Sequence, residues 1–161
     1  MKRLALVCFL AVAFCDAVNS DEPGPKGLEH WTIGAIQSEV QALATATAKD
    51  PHHFAVKLLV DYPNDSFLLV HREGDGSPEV HETQVDVMLV ESGSATLVVG
   101  GTLQNGDTVS PHEIRNGTIQ GGTRQKLAAG DIVRVPANTP HQLVLAGAHE
   151  ITYLVVKVKG Y

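Results

Sequence analysis

Two short stretches of the chain concentrate side chains able to hold a metal ion. Glu79 and His81 lie two residues apart, Asp86 follows after a short turn signal, and His141 stands much further on, behind Gly130, Pro136 and Pro140. Residues two apart on a strand point to the same face, so Glu79 and His81 share one. The Gly…Pro…Pro turn ahead of His141 fixes the direction in which its ring projects. Two imidazoles and one or two carboxylates converging inside a barrel make a site for a borderline or hard divalent metal: Mn, Fe, Ni or Zn.

Around these four, alternation selects what else faces the same interior. Met88 and Val90 share the parity of Asp86, and Leu143 and Leu145 that of His141, which gives a mostly apolar pocket of the kind a small organic ligand needs. His71 and Arg72 are adjacent, so one of the pair faces inward and could hold an anionic substrate. Arg72 is read as exterior and His71 as hydrogen-bonded near the rim. Gln125 and Tyr153 are candidate substrate hydrogen-bonders. His112-Glu113 reads as solvated loop sequence, and His52-His53 as an exposed junction.

The elements that must position these residues are nearly all strands. Runs at 54–62, 66–72, 79–81, 85–91, 95–100, 126–127, 131–135, 142–146 and 150–159 are β-rich. Turn signals such as Pro63-Asn64-Asp65, Gly74-Asp75-Gly76, Ser92-Gly93-Ser94 and Ala129-Gly130-Asp131 separate them. Many short strands with no helices between them predict an antiparallel sandwich or barrel. Residues 101–123 read as a long polar insert. One helix is expected, over residues 32–48: Ile33, Ile36, Val40 and Leu43 recur at spacings of three and four, Thr32 can cap its start, and Asp50-Pro51 ends it. Trp31, the only tryptophan, staples it to the body, and the helix reads as a lid over a hydrophobic opening.

The two metal-bearing stretches resemble the signature motifs of the cupin superfamily. The first family motif places His-x-His, three or four residues, Glu, six residues and Gly. Here Glu79 stands at the first His, His81 at the second, Asp86 at the Glu and Gly93 at the closing Gly. The second motif is Gly, five residues, Pro-x-Gly, two residues, His, three residues and Asn. Gly130, Pro136 and His141 match it, while Asn138 replaces the Gly and Leu145 the Asn.

The resemblance covers roughly residues 66–158 and implies a double-stranded β-helix, an all-β jelly-roll barrel, here with one N-terminal helix. It also implies pairing into a homodimer through barrel edges. The usual site offers three imidazoles and one carboxylate. With both Glu79 and Asp86 as ligands, the ion is partly neutralised and is a poorer Lewis acid. With the shorter Asp86 falling short, His81, His141 and one carboxylate leave open positions suited to dioxygen or bidentate substrates at Fe(II). With no metal, Glu79 is a buried carboxylate of raised pKa, usable as a general base.

The remainder of the chain bounds the setting. Met1-Lys2-Arg3 precedes an unbroken apolar run, Leu4 to Phe14, and small residues at Ala17 and Ser20 offer cleavage positions. That is the pattern of a secretory signal, and as a helix the run reaches about 17 Å, short of a hydrocarbon core of about 30 Å. Residues 1–20 are therefore read as a signal peptide, 21–31 as a linker and 32–161 as the barrel domain, in a secreted or periplasmic protein. Both cysteines, Cys8 and Cys15, lie in the signal, so the mature chain holds no thiol. With 12 basic and 18 acidic residues in 161, the acidic balance argues against nucleic acid and gives no reason to sit on an anionic membrane. Hydrophobic residues at 43% exclude a disordered tail, and the cysteine count excludes a disulfide-stapled miniprotein or zinc-finger array. Asn64-Asp65-Ser66 and Asn116-Gly117-Thr118 match glycosylation sequons. The function expected first is an exported metal-dependent enzyme acting on an oxygen-bearing small molecule by oxidation, lyase or isomerase chemistry. The second is a non-catalytic cupin that sequesters a small molecule or sugar, and the third a structural or storage barrel.

Overall fold

The computed structural model describes residues 24–161, so the expected signal and both cleavage positions lie outside the described residues. Residues 24–30 belong to a unit apart from the rest, in which a turn is closed by Leu28 N–H donating to Pro25 O at 3.0 Å. From Trp31 onward the chain is one helix, α1 (Ile33–Thr47), and twelve strands. They are β1 (Phe54–Asp61), β2 (Asp65–Arg72), β3 (Glu79–His81), β4 (Gln84–Val99), β5 (Thr102–Gln104), β6 (Asp107–Ser110), β7 (Glu113–Arg115), β8 (Thr118–Gln120), β9 (Thr123–Ala128), β10 (Ile132–Val135), β11 (His141–Val144) and β12 (Ile151–Lys159).

Every pairing is antiparallel. One side of the barrel runs β1-β2-β12-β4 with β10 beyond, and the other runs β9, β4, β11, β3, β7, β6. β4 belongs to both: residues from Gln84 to Gly93 pair with β12, and residues from Ser94 to Val99 pair with β9. The expected turn at Ser92-Gly93-Ser94 is thus a corner inside one continuous strand. A bulge at Glu91 bends it, because Val90 and Ser92 oppose the successive residues Tyr153 and Thr152. Gly93 sits at the corner with φ +73°, and a Cβ there would lie 2.2 Å from the Glu150 carbonyl oxygen. Only glycine fits.

The interior is apolar where the two sides meet. Val90, Ala95, Leu97, Leu127, Val135, Leu145 and Ile151 are all buried in one cluster with Val70, Met88, Leu143, Tyr153 and Val155. The helix starts as expected, with Thr32 Oγ1 accepting from Ala35 N–H at 3.2 Å. Its buried residues are Leu43 and Thr47, while Ile33 is exposed. α1 packs on β1 and β2, and Trp31 meets Phe67 with ring centroids 5.6 Å apart. Phe67 alternates with Leu68 and Val70, which line the cavity, so the helix covers the outer face of the sheet. No residue of α1 lines the cavity, which corrects the expectation of a lid. The insert is also not a loop: β5 to β8 fill it, and β7 pairs with β3.

Candidate metal centre

Strand register brings the site together. His141 opposes Glu79 across β11 and β3, and Glu79 opposes Arg115 across β3 and β7. His81 opposes Glu113 on the same pair of strands. From the other side of the barrel, Asp86 opposes Lys157 across β4 and β12. Side chains directly opposite in a sheet lie on one face within contact distance, so these pairs converge on one end of the interior. The second motif is tied to the first by Asn138 N–H, which donates to His81 O at 2.7 Å. Asn138 holds φ +56°, the left-handed conformation that the family's glycine would take and that asparagine tolerates.

Glu79, His81, Asp86 and His141 each direct one ligand atom into a cluster spanning no more than 4.8 Å. His81 Nε2 lies 3.2 Å from Asp86 Oδ2 and 3.9 Å from Glu79 Oε2, and His141 Nε2 lies 3.4 Å from Glu79 Oε1 and 3.7 Å from Asp86 Oδ2. Ligand atoms held about 2.1 Å from one tetrahedral ion stand about 3.4 Å apart, so the spacings suit a single ion. Asp86, despite its shorter side chain, reaches the cluster.

The imidazole tautomers point the same way. His141 Nδ1–H donates to Thr139 O at 3.0 Å, so Nε2 is the nitrogen turned inward, with a lone pair in the neutral ring and a proton in the charged one. That buried nitrogen has no hydrogen-bond partner and faces two carboxylates. A lone pair aimed at anions is repulsive unless a cation, a proton or a metal ion, stands between them. His81 Nδ1–H donates to Glu113, which fixes its ring in the way that outer partners orient metal-ligating histidines.

Burial by itself would raise both the Glu79 and the Asp86 carboxyl. For Glu79 the bond to His141 and the charges of His141, Arg115 and His81 outweigh it, and the group is brought down to about 2. Asp86 is pushed well below the usual carboxylate range by His141, His81 and Lys157. Burial opposes protonation of His141, but Asp86 and Glu79 overcome it and raise the ring to about 9. His81 is raised as well, against burial, by Asp86 and Glu113. The raised Glu79 pKa foreseen for a metal-free site is therefore corrected: the counter-charges around it dominate burial, and Glu79 is ionised.

Three residues of the site, Lys157, Arg115 and Glu113, are absent from the candidates that the sequence offers. Lys157 Nζ donates to Asp86 Oδ1 at 2.8 Å and Oδ2 at 3.1 Å, and to His81 Nε2 at 2.8 Å. Arg115 bridges Glu79 Oε2 and Glu113 Oε1, both at 2.6 Å. Signals for them existed. Lys157 shares the inward parity of Tyr153 and Val155 in an otherwise apolar run, and Glu113 and Arg115 are two apart on one face.

Beside the cluster lies a cavity of about 260 Å³, walled by Phe54, Val56, Leu68, Val70, Met88 and Leu143, with Arg72, Arg115, Tyr153 and Lys157 among its polar lining. Arg72, expected outside, is inside: its Nε donates to Tyr153 Oη at 3.2 Å and its guanidinium covers the Phe54 ring at 4.2 Å. No carboxylate among the described residues pairs with it. Alternation then sends His71 to the opposite face, so it is not a cavity residue. Its Nδ1 meets Thr152 Oγ1 at 2.8 Å, and Nε2 stands 3.5 Å from Glu73 and 3.8 Å from Glu150. Gln125 is exposed, its amide donating to Lys126 O at 3.3 Å, and does not reach the cavity. Val90 and Leu145 lie in the core rather than on the cavity wall. His112 is exposed as expected and pairs with Glu82.

The sequence matches no family model and no curated protein. Solved structures do match. The TT1209 protein of Thermus thermophilus is 20% identical, with a TM-score of 0.53 over 74% of this chain and 93% of that one. A Klebsiella pneumoniae protein described as having a double-stranded β-helix domain is 18% identical, with a TM-score of 0.50 over 66% and 73% of the two chains. The chain has the cupin fold. KdgF from a Halomonas species is similar at the same level, 17% identical with a TM-score of 0.50 over 70% of this chain and 84% of that one. Within the cupin fold, the four clustered residues fall at the positions of the two motifs.

Proposed function

We propose that this cupin is a divalent-metal protein that binds and transforms a small, anionic, oxygen-bearing organic molecule. The observation that carries the reading is the convergence of Glu79, His81, Asp86 and His141, one ligand atom each within 4.8 Å of the others, with the buried His141 Nε2 turned toward two carboxylates. Glu79, His81, Asp86 and His141 would hold the ion. When bound, it would supply a Lewis acid for a substrate oxygen, in oxidation, lyase or isomerase chemistry.

The rest is done by the chain. Glu113 and the Thr139 carbonyl hold the two imidazoles in the tautomers that present Nε2 inward. The cluster sets three carboxylates, Glu79, Asp86 and Glu113, against two cations, Lys157 and Arg115, so it lacks one positive charge. A divalent ion overcompensates by one, and unpaired Arg72 adds another, so the loaded site favours an anion. The apolar walls exclude water and orient the carbon skeleton. A cavity of 260 Å³ admits on the order of ten non-hydrogen atoms, taking about 30 Å³ for each water-sized group.

Metal content decides the reading. After reconstitution with Mn, Fe, Ni or Zn, elemental analysis should give one ion per chain, lost in His81→Ala and His141→Ala. Absence of metal under all four conditions overturns it. It would favour the alternative of a non-catalytic cupin that binds a small molecule with His141 protonated, a state that also balances the cluster's charge. We also propose that the protein is exported and dimeric. The N-terminus of protein recovered from the medium or periplasm should fall after Ala17 or Ser20, and light scattering should give twice the chain mass; an intact N-terminus or a monomer would refute the respective point.

A further inference from the structure

We propose that Lys157 is a built-in competitor for the metal: its ammonium occupies the place beside His81 and Asp86 that the ion must take, and loading requires the side chain to swing away. The proposal rests on the metal reading of the centre and adds to it how the ion enters.

The geometry leaves little freedom. His81 gives its Nδ1–H to Glu113, so Nε2 carries the ring's single lone pair. Lys157 Nζ uses that lone pair at 2.8 Å. A metal ion bound to the same nitrogen would lie on the same axis about 2.1 Å away, and the two cannot coexist. The same ammonium spans both oxygens of Asp86, at 2.8 and 3.1 Å. It therefore covers two of the four candidate ligands at once.

Lys157 also explains how the metal-free fold tolerates its own site. Asp86 is buried, and a buried carboxylate without a partner is strongly destabilising. The cross-strand register that places Lys157 opposite Asp86 supplies the partner from within the barrel. Lys157 lines the cavity as well, so a side chain released from His81 has the cavity to enter. There its ammonium would stand with Arg72 and Arg115 and meet an anionic substrate. Loading would thus turn an internal counter-ion into a substrate contact.

The test compares Zn2+ affinity of wild type, Lys157→Met and Lys157→Gln, measured by competition with a chelating dye. Circular dichroism selects variants that remain folded. Both variants should bind Zn2+ about tenfold to a hundredfold more tightly, the range commanded by groups that contact metal ligands. A second measurement uses only the wild-type protein: amine acylation at Lys157, mapped by mass spectrometry against Lys57 as reference, should rise on saturation with Zn2+. Equal affinities, or acylation indifferent to Zn2+, would overturn the role of Lys157 while leaving the metal centre standing. Failure of wild type and both variants to bind Zn2+ would overturn the metal reading and this inference together.

Discussion

His141 makes the stability of the metal-free protein depend on pH in a direction that can be worked out. Its ring is raised from 6.5 to about 9 by Asp86 and Glu79, despite burial. Below pH 6.5 both folded and unfolded chains carry the proton, and the full benefit of pairing is present. Between 6.5 and 9 the unfolded chain sheds it while the folded chain keeps it, so stability declines, and above 9 the benefit is gone. Each pH unit in that interval is worth about 1.4 kcal/mol, which gives a loss of about 3 kcal/mol. Glu79, brought to about 2, stays ionised across the interval and contributes no slope. Urea unfolding with a chelator present, at about pH 6 and about pH 9.5, measures the effect. With a slope of about 1–3 kcal/mol per molar urea, the midpoint should fall by about 1–3 M. His141→Gln should flatten most of the dependence. Saturating Zn2+ should abolish or reverse it, because the ion replaces the proton on Nε2 and is favoured by rising pH. A midpoint unchanged or higher at alkaline pH without metal would refute this role of His141.

Three further outcomes are expected. Gly93→Ala should lower stability by about 2 kcal/mol or more, from left-handed backbone and a clash with the Glu150 carbonyl; a denaturation midpoint within error of wild type would refute the corner's role. Glu113→Leu should weaken Zn2+ binding by about tenfold to a hundredfold, since His81 loses the acceptor that sets its tautomer, and a dye-competition titration reads this directly. Arg72→Met should reduce thermal stabilisation by small carboxylates by an amount equivalent to about tenfold or more in affinity, the worth of a hydrogen bond to a charged group; a shift equal to wild type, or equal for neutral analogues, would count against an anionic ligand.

The four clustered residues and the barrel were legible because each rests on a local rule. Period-two alternation set the faces, and motif spacing put Glu79, His81, Asp86 and His141 in register. What could not be read was long-range pairing. Nothing local says that β7 will lie beside β3, and that pairing alone brings Glu113 and Arg115 to the centre. Lys157 was hidden for a related reason: a charge in an apolar strand reads as an edge or rim residue until Asp86 is found across from it. The His71-Arg72 assignment went the other way because parity tells that adjacent residues part company but not which goes in. The buried choice fell on Arg72, whose guanidinium has Phe54 and Tyr153 to lie against. At Ser92-Gly93-Ser94 the turn residues read as the break between two strands, whereas a bulge and one glycine bend the chain without ending the strand.

The hairpin strands between β4 and β9 have a consequence for how such a protein can diversify. Glu113 and Arg115 reach the centre from a segment that lies outside both motif stretches and outside the chain's apolar interior. Reagents for the site are therefore encoded separately from the frame that holds it. Lengthening, shortening or recolouring that one segment would retune the charge around the four clustered residues and the adjoining cavity, while the corner at Gly93, the interior cluster and the positions of Glu79, His81, Asp86 and His141 stay as they are. The barrel can in this sense change its chemistry by editing about twenty consecutive residues, and exchange of residues 101–122 as a block is the natural unit with which to try it.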